Sequence, residues 1–148
     1  MSGHPALLPA VAVGVGIAGT VDQVVFHQVL RWHTFYVRSG LDVGLVSDGI
    51  FHALMTGILG AALVWLVRRA RASHPSPRLL TGGVLAGAGG FNLFDGVVDH
   101  KILQVHPVRE GVEDLLPYDV AWIGSAALVL AVGLLLLRSA GARRPAAA

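Results

Sequence analysis

The chain has 148 residues, 54% hydrophobic and only 14% charged, where a soluble domain carries roughly 25% charged residues. A mean hydropathy of +0.67 excludes an ordinary soluble protein, and the net charge of +2 comes from arginines flanking apolar runs, an orientation signal rather than a nucleic-acid surface. Cysteine is absent, which removes disulfides, thiolate ligands and cysteine nucleophiles and leaves nitrogen and oxygen as donors for any metal.

Four apolar stretches of about 20 residues or more occupy nearly the whole length. The first runs from about Ala6 into the His27 to His33 region. It lacks a basic n-region and a small-residue cleavage site, so it is expected to stay as a membrane helix. The second spans about Gly44 to Val67. The third runs from about Leu79 to His106, where Pro107 ends it, and the fourth from about Leu115 to Leu137, with Pro117 in its first turn. The expected fold class is all-α: an integral membrane four-helix bundle forming a single transmembrane domain over residues 1–148. Arg68, Arg69, Arg71 and Arg78 crowd the link between the second and third spans, and Arg138, Arg143 and Arg144 follow the fourth. Arg31, Arg38, Lys101 and Arg109 lie on the other side. The positive-inside rule then puts both termini in the cytoplasm.

An internal repeat organises these spans. At one constant offset, Gly14 pairs with Gly87, Gly16 with Gly89, Asp22 with Asp95, His27 with His100, Leu30 with Leu103 and His33 with His106. Glycine matches are cheap in apolar sequence, but an aspartate and two histidines at a single offset are not. The chain is therefore expected to consist of two repeated helical hairpins, about 6–70 and 79–140, related by a pseudo-twofold axis along the membrane normal. Matched residues would meet around that axis.

Intramembrane aspartate and histidine are costly, so each needs a partner or a function. Counted from the arginine-rich end, His52, Asp95 and Asp119 fall about 24 to 28 Å up, and Asp48 and His100 about 30 to 33 Å, all toward the opposite face. Asp22, His27, His33, Asp99 and His106 join the same outer layer, while His4 and His74 lie elsewhere. Helical phase groups Asp48 with His52, Asp22 with His33, and Asn92, Asp95 and Asp99 with His106. His27 and His100, five residues past their aspartates, fall about 140° away on an ideal helix. A π-bulge near Gly96 would restore the Asp95–His100 neighbourhood; without one, carboxylates and histidines form separate layers.

A lone histidine in such a helix is more often a hydrogen-bonded core residue than a ligand. The constellation points instead to a transition-metal site on Asp22, His27, His33, Asp48, His52, Asp95, Asp99, His100, His106 and Asp119. Imidazole and carboxylate suit zinc, iron or manganese, and imidazole also copper(II). Di-iron bundles offer an architectural parallel, although their Glu-x-x-His motif is missing. Haem held by His27 and His100 is the less favoured cofactor, since it does not need the aspartates. The competing reading is a structural His–Asp hydrogen-bond network. The sequence leaves open whether the site is catalytic. Gly83 and Gly87 have a helix-packing spacing, Trp32, Tyr36, Tyr118 and Trp122 are expected in an aromatic belt, and Arg109 is expected at a lipid headgroup or paired with Glu110.

His27, Gln28, Leu30, Trp32 and His33, with Asp48, Gly49, Phe51, His52, Phe91, Asn92, Asp95, Gly96, Asp99, His100, Leu103, His106, Val108, Arg109 and Asp119, carry a resemblance over nearly the whole chain. It resembles the bacterial membrane-protein family catalogued as domain of unknown function 2243. That resemblance implies four spans in a bacterial inner membrane. It also implies an association with cytochrome oxidase assembly proteins, hence with copper or haem handling; a structural or assembly subunit of such a respiratory complex is the alternative function. The family pattern often doubles the histidines where this chain has Thr34 and Pro107, so those second histidines are not required ligands here.

Overall fold

The computed structural model describes residues 4–38 and 40–141, and among these every regular element is helical. Arg143 and Arg144, used above for orientation, lie outside them. Helix α1, Leu7–Asp22, continues without interruption into a π-helical segment, Gln23–Val29. Helix α2 is Leu41–Ser73; α3, Pro77–Phe94, continues into a second π-helical segment, Asp95–Ile102; and α4 is Leu116–Gly141.

Three stretches are long and apolar enough to cross a membrane: Leu7–Val29, Leu41–Ser73 and Leu116–Gly141. The fourth helix, Pro77–Ile102, is less apolar because glycines, Asn92, Asp95, Asp99 and Lys101 dilute it. It is nonetheless central. Helices α1 and α3 pack on each other, α2 packs on α1, and α4 packs on α3, giving the spatial order α2, α1, α3, α4. Half of the first span is buried within the chain, against 11% of α2 and of α4, whose outer faces display Leu45, Val46, Ile50, Leu128 and Leu135. Such all-round apolar helices suit a lipid surrounding.

Glycine sets how closely the central pair approaches. A Cβ on Gly14 would stand 2.0 Å from the carbonyl oxygen of Val84, and one on Gly87 the same 2.0 Å from that of Val11. The flanks repeat the device: Gly16 lies against the Leu59 backbone of α2, and Gly89 against the Leu130 backbone of α4. Small residues thus bring backbones together where hydrophobic driving force between helices is absent.

The helices carrying the polar residues end differently from expectation. The third does not reach His106, and Pro107 is not its terminator. It ends at Ile102 because Leu103 N–H donates to Val98 O at 2.7 Å, Val105 N–H to Asp99 O at 2.9 Å, and Gln104 takes φ 50°. The first ends likewise: Leu30 N–H donates to Val25 O at 2.8 Å, Trp32 N–H to Phe26 O at 2.8 Å, and Arg31 takes φ 51°. After each turn the chain folds back over the helix end, and Arg38 from the first connection donates to Leu103 O and Gln104 O of the second. Helix α2 starts at Leu41 and runs past Val67 to Ser73, where His74 at φ 45° closes it; Ser76 then caps α3 by accepting from Leu79 N–H.

Gly87→Ala drives a methyl into a backbone carbonyl that cannot step aside, so it is expected to lower stability by about 3 kcal/mol or more. Gly57→Ala, with open space around its Cβ, should leave the thermal midpoint in detergent unchanged or slightly raised. Equal midpoints for the two variants would contradict the close packing of α1 on α3.

Candidate metal centre

The π-helical segments solve the phase problem. Five-residue spacing stacks side chains in a π-helix, and His100 Nε2 stands 3.2 Å from Asp95 Oδ2 and His27 Nε2 3.4 Å from Asp22 Oδ2. His33 and His106 arrive by another route. The left-handed turns at Arg31 and Gln104 fold the chain back and lay both rings over the helix ends, stacked at 4.4 Å. Ring centroids of His27 and His33 are 4.3 Å apart, and those of His100 and His106 4.7 Å. Four imidazoles and two carboxylates therefore share one pocket of the fold, each 5% exposed or less. Phe51 stacks on His27, Phe35 and Trp122 pack tilted against His106 and His100, and Phe26 packs on Trp122.

The hydrogen bonds on the far side of two rings decide where their lone pairs point. His27 Nδ1 lies 2.9 Å from Asp48 Oδ1, and His33 Nδ1 lies 2.7 Å from the carbonyl oxygen of Val108. A carboxylate and a carbonyl only accept, so both Nδ1 atoms carry the proton and each neutral ring presents a bare Nε2. Those two Nε2 atoms face each other at 3.0 Å, with Asp22 Oδ2 beside them. With both rings neutral, two confronted lone pairs and a carboxylate oxygen repel one another unless a proton or a metal ion sits among them. Two nitrogens bound to one tetrahedral zinc at 2.0–2.1 Å would stand about 3.3 Å apart, close to this spacing. Burial, followed by the charge of His27, draws the His33 pKa down to about 4, so the His33 ring itself stays neutral. Asp48, also fixed by Phe35 N–H at 2.6 Å, is the kind of carboxylate brace that orients a metal-binding histidine.

One ligand atom from each of Asp22, His27 and His33 falls within 4.8 Å of the others, and the same holds for His33, His100 and His106. Asp22 Oδ1, Asp95 Oδ2, His106 Nε2 and both ring nitrogens of His100 are buried without a hydrogen-bond partner among the described residues. Orphaned buried polar atoms at this density are exceptional unless something binds them.

Of the ten residues singled out in sequence, Asp22, His27, His33, Asp95, His100 and His106 come together, with Asp48 behind His27. The other three do not join them. His52 is half-buried and faces Gln28 Nε2 at 3.4 Å, Asp99 is half-buried outside both groups, and Asp119 is ion-paired with Lys101. Gln23 escaped the sequence reading. It is wholly buried with both amide atoms unpartnered, and its signal was an uncharged amide directly after Asp22 in an apolar span. Arg109 does not pair with Glu110. Its guanidinium lies 5.3 Å from the rings of both Trp32 and Tyr118 and donates to the Tyr118 hydroxyl at 2.8 Å. Trp122 donates to Asn92 O at 3.2 Å and packs on Phe26, a structural role beyond a lipid-facing belt. A cavity of about 850 Å³ reaches His27, His33 and Asp48, with Arg31, Leu41 and Leu45 among its walls.

A family model described as "Predicted membrane protein (DUF2243)" matches residues 9–140. No curated protein and no solved structure matches the chain.

Burial also pushes the His106 pKa far below its ordinary value, so the folded chain keeps this ring neutral where the unfolded chain protonates it. The unfolded state binds the extra proton below about pH 6.5, and stability is lost as pH falls through that point. Wild type stripped of metal should therefore lose about 1.4 kcal/mol per pH unit more than His106→Asn between about pH 6.5 and 4.5. Parallel pH–stability curves for the two proteins would rule out a buried neutral His106.

Proposed function

The chain belongs to the DUF2243 family of membrane proteins, and from that premise we propose that it holds a transition-metal ion on Asp22, His27 and His33, as a metalloenzyme or a metal-handling factor. One observation carries this reading: the bare Nε2 atoms of two braced imidazoles converge at 3.0 Å beside a buried carboxylate. Zinc, iron and copper(II) all accept this donor set. The crowding favours an ion over haem, because His33 stands 4.3 Å from His27 and 6.0 Å from His100, centroid to centroid, and His106 stands 5.8 Å and 4.7 Å from the same two rings, so two further imidazoles crowd the pair a haem would need. The cavity beside His27 and His33 offers a route for a ligand or an exchanging ion. If the centre is catalytic, Asp48 is positioned to take up a proton through His27, and turnover distinguishes an enzyme from a carrier.

The two-hairpin organisation belongs to the same proposal. Its support is the reciprocity of the Gly14–Val84 and Gly87–Val11 contacts, the paired π-helical segments, and the positive φ of Arg31 and Gln104 at matched positions. With all four helices crossing, the metal residues gather at the end opposite Arg68 to Arg78, which the positive-inside rule makes the extracytoplasmic side of a bacterial inner membrane. That position suits a factor serving respiratory oxidase assembly.

Elemental analysis of protein purified from metal-replete cells is expected to find one or two transition-metal ions per chain. His27→Ala and His33→Ala should each weaken binding tenfold or more, and His4→Ala and His74→Ala should not change it. A metal-free, fully folded protein whose thermal midpoint ignores added zinc, copper and iron would leave only the structural-network reading. For orientation, an impermeant thiol reagent on intact cells should label Glu113→Cys and spare Ser73→Cys; the reverse pattern would move the centre to the cytoplasmic side.

A further inference from the structure

Helices α2 and α4 bury corresponding faces: Asp48, Met55 and Ala62 on one, Asp119, Ala126 and Gly133 on the other, with the same spacing. Helix α2 lies on α1 as α4 lies on α3, so Asp119 takes on α4 the position along the buried face that Asp48 takes on α2. The two carboxylates are used differently. Asp48 braces His27 Nδ1, whereas Asp119 Oδ2 is taken by the ammonium of Lys101. What Asp119 would otherwise hold is left bare: His100 Nδ1 is buried without a partner, and so is the other oxygen of Asp119.

Behind that gap lies a second convergence of donors. Asp95 Oδ2 stands 3.2 Å from His100 Nε2, and Asp95 Oδ1 stands 3.9 Å from His106 Nε2. The ring nitrogens concerned and Asp95 Oδ2 have no hydrogen-bond partner, and the three residues are 5% exposed or less. We infer that Asp95, His100 and His106 form a second, weaker site for a divalent imidazole-binding ion such as zinc, and that Lys101 weakens it by withholding the Asp119 brace.

The inference rests on the first site being a metal site, and it adds that the two are unequal. A histidine lacking its outer carboxylate loses tautomer and orientation, which typically costs 10- to 100-fold in metal affinity. Lys101 is the removable element, since its side chain is 42% exposed and its ammonium can be accommodated by water, leaving the Asp119 carboxylate to take another donor. The walls of the cavity include His27, His33 and Asp48 and none of Asp95, His100 and His106, so the two sites also differ in access.

Zinc titration of the metal-stripped full chain in detergent tests this. Wild type should bind one zinc tightly and a second at least tenfold more weakly. Lys101→Met, or Lys101→Gln if the former folds poorly by its thermal midpoint, should tighten the second about tenfold or more and leave the first unchanged. Lys101→Arg, which keeps the cation, should retain the wild-type pattern, and adding Asp119→Asn to Lys101→Met should abolish the gain. Equal sites in wild type, or a second site indifferent to Lys101→Met, would overturn the inference while the first site stands. Zinc bound by none of these proteins would overturn the metal reading itself.

Discussion

The contact of α1 with α3 at Gly14 and Gly87 governs everything above it. Each glycine faces a carbonyl oxygen of the opposing helix so closely that no side chain fits, and the two axes are held together at mid-length. Only then do the π-helical segments at the ends of these helices stand face to face, with Asp22 and His27 on one and Asp95 and His100 on the other. Helices α2 and α4 make no contact with each other among the described residues, and α2 reaches the centre through the Asp48 carboxylate, which meets His27. The molecule is a tight central pair with two lipid-facing flanks.

This arrangement concentrates unfavourable terms in one place. Carboxylates and imidazoles are desolvated together, and the wide π turns replace ordinary helical hydrogen bonds with longer-range ones. A hydrogen-bond network meant only to tie helices would be expected to satisfy its members, because a partly satisfied buried network is worse than an apolar core. Here the far nitrogens of His27 and His33 are satisfied by Asp48 and Val108 O, while Asp22 Oδ1, Asp95 Oδ2, His106 Nε2 and both ring nitrogens of His100 have no partner among the described residues.

Much of this was readable in the residues. Apolar length gave the helices, and the shared offset of Asp22, His27 and His33 with Asp95, His100 and His106 identified the six that converge. The five-residue spacing left two outcomes open, a π-helical turn or separate carboxylate and histidine layers, and the π-helical turn is the one the chain adopts. Three things were not readable. His52 was assigned by sharing a face with Asp48, but the centre lies toward α1 and only one of the two residues points there. His106 was placed on a helical face, whereas a left-handed Gln104 sends it back through a loop, and no glycine or asparagine marks that turn. Asp119 lies in the same buried layer, but its carboxylate is ion-paired with Lys101, a partner that helical phase alone does not reveal.

The connections at the centre are stitched crosswise. Val108 of the second half holds the ring of His33 from the first, Glu110 N–H donates to Trp32 O at 2.7 Å, and Arg38 closes the carbonyls after the second π-helical segment. A histidine from the first half of the chain is thus aimed by a carbonyl from the second. On the duplication reading this constrains ancestry: a single ancestral hairpin had no means of orienting its own histidine, and would have worked only as a pair of identical chains, each finishing the other's site. Fusion of the two copies then freed one carboxylate to change partners, a divergence that identical subunits could not have made on one side alone.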